Sequence, residues 1–311
     1  MSITILDGGM GQELVRRSKD KPTALWSTQV MMDHPELVQE VHTDFFAAGA
    51  SIATTNTYAL LRDRLAHVGL EDRQADLADV AIRAAERARD AAGGGLIAGS
   101  IGPLVQSYRP DLCPPAAEAA DLYAYPVSLL KDRVDLFLLE TMASVDQAEG
   151  ALRATLGLGL PVWLALSVSD EDGTRLRSGE ALGDLAPMLA TYRPDAILLN
   201  CSRPEAVSEG LPLVAEFGLP FGAYANGFTR ISDGFKVDKP TVDALEGRVD
   251  LGPDAYADIA EIWAGLGATI IGGCCEVGPA HISELARRFG AGACSSALTG
   301  ILAAPATVGE I

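Results

Sequence analysis

The 311-residue sequence is poor in several features that mark other classes of protein. Every uninterrupted apolar run is shorter than the ~20 residues of a membrane span, and the N-terminal residues do not form a basic and apolar leader. We therefore expect a cytoplasmic protein without a membrane partner. Basic residues are also scarce, with 24 Lys and Arg against 42 Asp and Glu and a net charge of −18. This balance argues against nucleic acid as a partner, because nucleic-acid binding depends on basic contacts to phosphates.

Common metal and nucleotide motifs are missing as well. The four histidines, His34, His42, His67 and His281, do not have the spacing of an HExxH metal site, and we interpret them as structural. The glycine-rich stretch 93–102 lacks the ordered GxGxxG of a dinucleotide site, so we interpret it as a helix end followed by a loop. The cysteines are therefore the main candidates for chemistry.

The sequence holds five cysteines, and two of them are adjacent. Cys274 and Cys275 end one apolar run, and Cys201 ends another. Adjacent cysteines do not easily bond to each other, because one peptide unit holds their Cα atoms too close for a relaxed disulfide. With Cys201 they can instead hold one zinc ion, whose fourth position then stays open for water or substrate. The alternative is that these are small buried apolar residues. Cys113 and Cys294 lie outside the predicted site, and we interpret both as incidental.

Short β-branched runs alternate with longer amphipathic stretches along the chain, a pattern typical of βα units and a parallel sheet. The pattern predicts strands at 3–7, 51–55, 96–100, 135–140, 162–168, 196–200, 221–225 and 269–272. It predicts helices that include 35–48, 73–92, 145–156, 204–217, 253–266 and 279–289. Eight strands in a chain of this length predict a single (β/α)8 barrel domain over residues 1–311, with 297–311 as a loose C-terminal tail.

A barrel of this kind gathers its functional groups where the strands end and the βα loops begin. Asp7 and Glu140 end predicted strands in this way, and further candidate residues follow predicted strands: Gly8, Tyr58, Cys201, Asn226, Cys274 and Cys275. We therefore predict that they converge at one mouth of the barrel, where reduced cysteine thiols can share a metal ion.

Segments spread along the chain carry a family resemblance. They are Leu6-Asp-Gly-Gly-Met-Gly11, Leu25-Trp-Ser27, His34-Pro-Glu36, Ala53-Thr-Thr-Asn-Thr-Tyr58, Gly99-Ser-Ile-Gly-Pro103, Leu139-Glu-Thr-Met142, Asn200-Cys201, Tyr224-Ala-Asn-Gly227 and the Gly-Gly-Cys-Cys run at 272–275. In these segments, and in their order, the chain resembles the homocysteine S-methyltransferase family. One departure is Glu276, which follows the cysteine pair where that family usually has glycine.

The resemblance implies a zinc-dependent barrel enzyme that transfers a methyl group to the sulfur of homocysteine and forms methionine. It implies Cys201, Cys274 and Cys275 as ligands of Zn²⁺. It also implies that Asp7, Gly8 and Glu140 bind the amino-acid end of homocysteine, and that Trp26 and Tyr58 lie near the methyl donor.

Each of these residues also has a structural interpretation. Asp7 and Gly8 can form only a turn, Glu140 can be a surface carboxylate, and Trp26 and Tyr58 can be packing residues. Asn226, a further candidate for substrate binding, and Asn200 either orient a ligand or brace their loops.

The chemistry of methyl transfer restricts the donor. A donor whose leaving group departs neutral, such as the sulfonium of S-methylmethionine or S-adenosylmethionine, suits attack by sulfur, and aromatic faces stabilise such cations. The N–H groups of Gly8 and Gly9 can approach the homocysteine carboxylate closely. Betaine or dimethylsulfoniopropionate as donor, a separate corrinoid protein as donor, and a zinc or thiol sensor without catalysis are the alternatives. The sequence predicts no particular oligomeric state.

Overall fold

The computed structural model describes residues 2–21, 23, 25–231 and 246–290. Two sequence-based predictions, the loose tail at 297–311 and the incidental Cys294, lie outside these residues. Within the described part of the chain, no helix is both long and apolar enough to cross a membrane.

Within the described residues, eight parallel strands form one sheet in chain order, which confirms the predicted (β/α)8 barrel. The strands are β1 (Thr4–Ile5), β2 (Ile52–Thr54), β3 (Leu96–Ile101), β4 (Leu136–Met142), β5 (Val162–Leu166), β6 (Ala196–Asn200), β7 (Phe221–Tyr224) and β8 (Ile270–Ile271). Each strand pairs with the next from β2 to β8, and β8 pairs with β1. A single bridge between Leu6 and Ile52 joins β1 to β2 and closes the barrel.

Helices connect the strands on the outside of the barrel. They are α1 (Met10–Ser18), α2 (Ser27–Asp33), α3 (Pro35–Ala47), α4 (Arg62–Ala66), α5 (Gln74–Ala92), α6 (Ala116–Leu130), α7 (Val145–Thr155), α8 (Ala186–Tyr192), α9 (Pro204–Ala215), α10 (Pro253–Gly265) and α11 (Pro279–Phe289). Proline begins α3, α9, α10 and α11, because the first turn of a helix does not use its N–H groups internally. The helices named from the pattern begin and end within two residues of these bounds. The pattern did not name α1, α2, α4, α6 or α8. In α6 the interior Pro126 disfavours a helix.

The inside of the barrel is filled by side chains. A cluster of buried residues from all eight strands or the residues beside them fills it: Leu6, Ile52, Ala98, Leu136, Leu138, Trp163, Ala165, Ala196, Leu198, Tyr224 and Ile270. At the amino-terminal ends of the strands, the carboxylates of Asp135 and Asp195 accept the N–H groups of Ile97 and Val162 at 2.7 and 2.8 Å. This end of the barrel is therefore a packed, stabilising face, and the open space lies at the opposite end.

Candidate active site

A cavity of about 340 Å³ lies at the carboxyl ends of the strands. Its wall includes all but one of the residues predicted for the site: Asp7, Gly8, Trp26, Tyr58, Glu140, Cys201, Cys274 and Cys275. The exception is Asn226, which is buried behind the wall and hydrogen-bonds the side chain of Tyr108. The sequence therefore predicted which residues meet at the mouth, except that Asn226 does not line the cavity itself.

The three predicted metal ligands form one cluster of sulfur atoms. The sulfurs of Cys201, Cys274 and Cys275 all lie within 4.8 Å of one another. Backbone bonds to the end of β7 and the residue after it hold two of them in place, since the N–H of Cys201 donates to Tyr224 O and that of Cys274 to Ala225 O. Zinc–thiolate bonds of ~2.3 Å in a tetrahedron place sulfurs ~3.8 Å apart. The donor set therefore fits one zinc ion with an open fourth position.

Two sulfurs of the cluster lie close enough to bond to each other. Cys201 and Cys274 are joined as a disulfide, and Cys275 is free. The pairing is possible because their two loops, after β6 and β8, flank β7 and bring the Cα atoms to 5.8 Å. The adjacent pair, Cys274 and Cys275, is not bonded to itself, as expected. Because metal ligation requires thiolates, the disulfide and a metal-bound form are alternative states of the same two sulfurs.

Strained backbone concentrates around this cluster. Six non-glycine residues of the described chain near the mouth have φ between 49° and 64°, a left-handed conformation that side chains disfavour: Trp26, Val105, Tyr108, Thr141, Cys201 and Glu276. Such residues persist where the surroundings hold them, and they are frequent at active sites. Glu276 is also the position where the resemblance leads one to expect glycine, so this chain keeps the backbone conformation without the residue that suits it best.

A buried ion pair holds Cys201 in its strained conformation. The guanidinium of Arg177 donates to Cys201 O at 3.1 Å, to Ser167 Oγ at 2.6 Å and to the Asp170 carboxylate at 3.1 Å. The side chains of Arg177 and Asp170 are 8% and 3% exposed. Burial alone would raise the pKa of Asp170, but Arg177 beside it lowers the pKa overall. The fork of Arg177 thus ties the ion pair to the backbone of a candidate metal ligand.

Replacing Arg177 with lysine should weaken metal binding while the protein stays folded. Lysine keeps the positive charge beside Asp170 but lacks the planar fork that reaches Cys201 O and Ser167 together. Loss of a group that orients a ligand typically lowers metal affinity ~10- to 100-fold. Competition with a chelating dye measures this affinity. Arg175→Lys, in an exposed pair with Asp172 on the same loop, is the matched control, and an equal effect there would contradict the positioning role.

Glu140 ends up buried in the wall of the cavity. Ser100 Oγ donates to one oxygen of Glu140, and the Tyr224 hydroxyl donates to the other at 3.1 Å. Burial raises the pKa of Glu140 to about 7, although both hydrogen bonds act to lower it. Behind it, Asn200 exchanges two bonds of 3.0 Å with Thr141 and so braces the strained residue that follows Glu140. A carboxylate held this way can pair with the ammonium group of a ligand.

Asp7 has a structural task in addition to lining the cavity. Its two oxygens accept the N–H of Thr54 at 2.6 Å and the hydroxyl of Thr54 at 2.7 Å. These bonds reinforce the seam between β1 and β2, which otherwise rests on a single bridge. Burial raises the pKa of Asp7 to about 7, the Thr54 bonds oppose that rise, and nearby Glu140 adds to it. Asp7 therefore both stabilises the backbone after β1 and presents a carboxyl group to the cavity.

The glycines after β1 are required by close packing. A Cβ atom at Gly8 would lie 2.1 Å from Val277 O, so no larger residue fits there. The expectation that Gly9 offers its N–H to a substrate is wrong, because that group donates to Val277 O at 2.9 Å. The N–H of Gly8 has no acceptor in the described part of the chain and remains available to a ligand.

Trp26 and Tyr58 form the outer wall of the cavity. The ring of Trp26 packs against Gly11, where a Cβ would lie 2.4 Å from it, and the Tyr58 hydroxyl shares a 2.8 Å hydrogen bond with Ser107 Oγ. The sequence did not indicate Arg64, whose guanidinium carbon lies 5.4 Å from the centre of the Tyr58 ring. It also did not single out Ser100 or Tyr224, and it predicted only that the loop 170–179, which contains Arg177, lies near the substrate. Tyr224 is the last residue of β7, and that position alone marks it as a candidate.

The chain is similar over most of its length to proteins of one enzyme family. The family model for homocysteine S-methyltransferase matches residues 4–289. The chain is 32% identical to homocysteine S-methyltransferase of Escherichia coli over 92% of this chain and 95% of the relative. It is 29% identical to homocysteine S-methyltransferase YbgG of Bacillus subtilis over 91% of this chain and 93% of the relative.

Among solved structures, the metallated form of the E. coli homocysteine methyltransferase MmuM matches with a TM-score of 0.78 and 28% identity, covering 93% of this chain and 96% of that one. The oxidized form of the same enzyme matches with a TM-score of 0.77. These similarities extend over nearly the whole described barrel, and the proteins compared above are all homocysteine methyltransferases. The chain is therefore a member of the homocysteine S-methyltransferase family of methyl-transferring enzymes.

Proposed function

We propose that this enzyme transfers a methyl group from a sulfonium donor, S-methylmethionine or S-adenosylmethionine, to the sulfur of L-homocysteine and forms methionine, with Zn²⁺ held by Cys201, Cys274 and Cys275. The observation that carries the proposal is the placement of three sulfurs within 4.8 Å of one another in the wall of a cavity that also holds two buried carboxylates. Family membership supports homocysteine as the acceptor. Zinc and the sulfonium donor rest on the chemistry of the site.

The cavity offers a partner for each part of homocysteine. Glu140, buried and held by Ser100 and Tyr224, accepts the ammonium group. The unused N–H of Gly8 donates to the carboxylate. These contacts direct the side chain of homocysteine toward the three cysteine sulfurs. Zn²⁺, when bound there, would keep the homocysteine sulfur ionised at neutral pH, where a free thiol of pKa ~8.5 is mostly protonated.

The transfer itself is a displacement at the methyl carbon. A bond forms from the homocysteine sulfur to that carbon as the bond from the sulfonium sulfur breaks, and the donor leaves as a neutral thioether. The thiol proton of homocysteine is released to water, so with S-methylmethionine the products are two methionines and one proton. The face of Trp26 in the cavity wall stabilises the positive donor before the transfer.

The size of the cavity favours the smaller donor. Ligand pockets generally measure ~300 to 1,000 Å³, and this cavity of about 340 Å³ has to hold homocysteine and the donor together. Two amino acids fit that space better than homocysteine with a nucleoside-bearing donor. We therefore place S-methylmethionine ahead of S-adenosylmethionine.

Turnover with a set of donors tests the proposal. Reduced, zinc-loaded protein is supplied with homocysteine and, in parallel, S-methylmethionine, S-adenosylmethionine, betaine or dimethylsulfoniopropionate, and methionine is quantified. We expect the fastest formation with S-methylmethionine and almost none after treatment with a chelator, because the open position of the metal holds the acceptor sulfur. Absence of methionine with all four donors would contradict the proposal and point to a methyl group carried by another protein.

A further inference from the structure

In the part of the chain that the structure describes, Arg64 is a positive charge in the cavity wall without an acidic partner. It belongs to α4, is half-buried and lines the cavity beside Tyr58. Its Nε and Nη2 atoms donate to Pro103 O, and Nη2 also donates to Ser107 Oγ at 3.3 Å. Within the described residues no carboxylate lies within 4.0 Å of its guanidinium. An arginine has five N–H donors, and the two on Nη1 have no acceptor in this part of the chain.

The nearest acid in sequence is already occupied. The carboxylate of Asp63 accepts the backbone N–H of Arg64 at 2.8 Å and that of Val105 on its other oxygen. Asp63 therefore fixes the loop that carries Arg64 but does not form an ion pair with its guanidinium. The two N–H donors on Nη1 are therefore available, within the described part of the chain, to a ligand that enters the cavity.

Charge is divided between the two sides of the cavity. The lining acids, Asp7 and Glu140, lie on the strands near the cysteines, whereas Arg64 lies on the helical outer wall. Tyr58 interacts with both sides. The guanidinium carbon of Arg64 lies 5.4 Å from the centre of its ring. Burial raises the pKa of Tyr58, Glu140 adds to that rise, and Arg64 opposes it. The hydroxyls of Tyr58 and Ser107 lie beside the guanidinium and add two further hydrogen-bonding groups.

We propose that Arg64, with the hydroxyl of Ser107, binds the carboxylate of the methyl donor, so that the enzyme selects donors that carry a carboxylate in addition to the onium group. This inference rests on the proposed function and adds to it the part of the donor that is recognised. It also implies that Trp26 and Tyr58 contact different ends of the donor. Because Arg64 already places a positive charge against Tyr58, the cationic end of the donor lies against Trp26, and Tyr58 helps to hold the carboxylate end.

A pair of donors that differ only in the carboxylate tests the inference. Wild-type protein, Arg64→Met and Arg64→Lys are assayed with S-methylmethionine and with its carboxamide, which is neutral at that end. Loss of a charge-assisted hydrogen bond typically costs ~10- to 100-fold. We expect Arg64→Met to raise the KM for S-methylmethionine by about that factor, with the KM for homocysteine unchanged and with no further loss for the carboxamide. Arg64→Lys should fall between the wild type and Arg64→Met, because it keeps the charge without the fork.

A second readout does not depend on turnover. Trp163 and Trp263 are buried away from solvent, so quenching of tryptophan fluorescence by a cavity ligand reports mainly on Trp26. Titration of the metal-free protein with each donor should show tighter binding of S-methylmethionine than of the carboxamide in the wild type and equal binding in Arg64→Met. Arg62→Met, on the exposed side of the same short helix, is the matched control.

The outcomes separate this inference from the proposed function. If wild-type protein turns over none of the donors, the proposed function fails, and the fluorescence titration still decides whether Arg64 recognises a carboxylate. If methionine forms but Arg64→Met affects both donors equally, or neither, the inference is overturned while the proposed function stands.

Discussion

Replacing Cys274 with serine is expected to remove the metal and to reduce methyl transfer to background. Serine oxygen is a harder ligand than thiolate sulfur and binds zinc less well. Loss of a group that only orients a ligand already lowers metal affinity ~10- to 100-fold, so loss of a ligand itself should exceed that range. Zinc content after desalting and methionine formation measure the two effects. Cys201→Ser should behave in the same way, since both sulfurs belong to the same cluster.

Cys113→Ser is the matched control for these variants. Cys113 is half-buried outside the cavity wall, with its sulfur 3.3 Å from Pro114 O, so we expect full zinc content and near wild-type activity. A zinc-free Cys113→Ser protein, or a fully active Cys274→Ser protein, would contradict the assignment of the three ligands.

Replacing Glu140 with glutamine is expected to weaken homocysteine binding strongly while zinc stays bound. Truncating one partner of a buried charge pair costs ~2 to 5 kcal/mol, or about 30- to 5,000-fold in affinity. Glutamine keeps the size of Glu140 and can still bond to Ser100 and Tyr224, but it cannot pair with an ammonium group. Calorimetric titration with homocysteine measures the loss. A zinc or thiol sensor without a substrate site would show no change.

Although Glu140→Gln weakens homocysteine binding, it should increase the free energy of unfolding of the protein at high pH. The pKa of Glu140 in the folded protein is raised to about 7, above its ordinary 4.5, so the folded state holds a proton that the unfolded state has released. The contribution of this group to stability is therefore full below pH ~4.5 and is lost as the pH rises to ~7, by about 3 kcal/mol. Relative to wild type, metal-free Glu140→Gln should gain in free energy of unfolding between pH 5 and pH 8.

Denaturant unfolding at several pH values checks this expectation. Asp135→Asn is the control, because Asp135 precedes the same strand and bonds to Ile97 at the opposite end of the barrel, away from the cavity. A pH profile of Glu140→Gln parallel to that of the wild type would mean that burial of Glu140 does not shift its pKa.

The fold was predictable because its determinants are local and repeated. Buried β-branched runs and proline-led amphipathic helices recur in alternation, and each strand in the structure overlaps the stretch predicted for it. The convergence of Asp7, Glu140 and the cysteines followed from the same rule, since parallel strands place their carboxyl ends at one edge. Cys201 and Cys274, separated by 73 residues, meet for this reason.

Other features depend on contacts between distant loops, which a single sequence does not display. Arg177 reaches Cys201 O because the loop after β5 contacts the loop after β6. The N–H of Gly9 is taken by Val277, a residue from the far end of the chain. The isolated charge of Arg64 is visible only when all its neighbours are known, because nothing in its local sequence distinguishes it from Arg62.

The most direct test of the account is X-ray absorption at the zinc edge of the reduced, zinc-loaded protein, recorded with and without homocysteine. Three cysteine ligands and one open position predict three sulfur neighbours near 2.3 Å in the absence of homocysteine and four in its presence, a change that Glu140→Gln should suppress. An unchanged sulfur count on addition of saturating homocysteine would contradict the claim that the acceptor sulfur binds at the cluster of Cys201, Cys274 and Cys275.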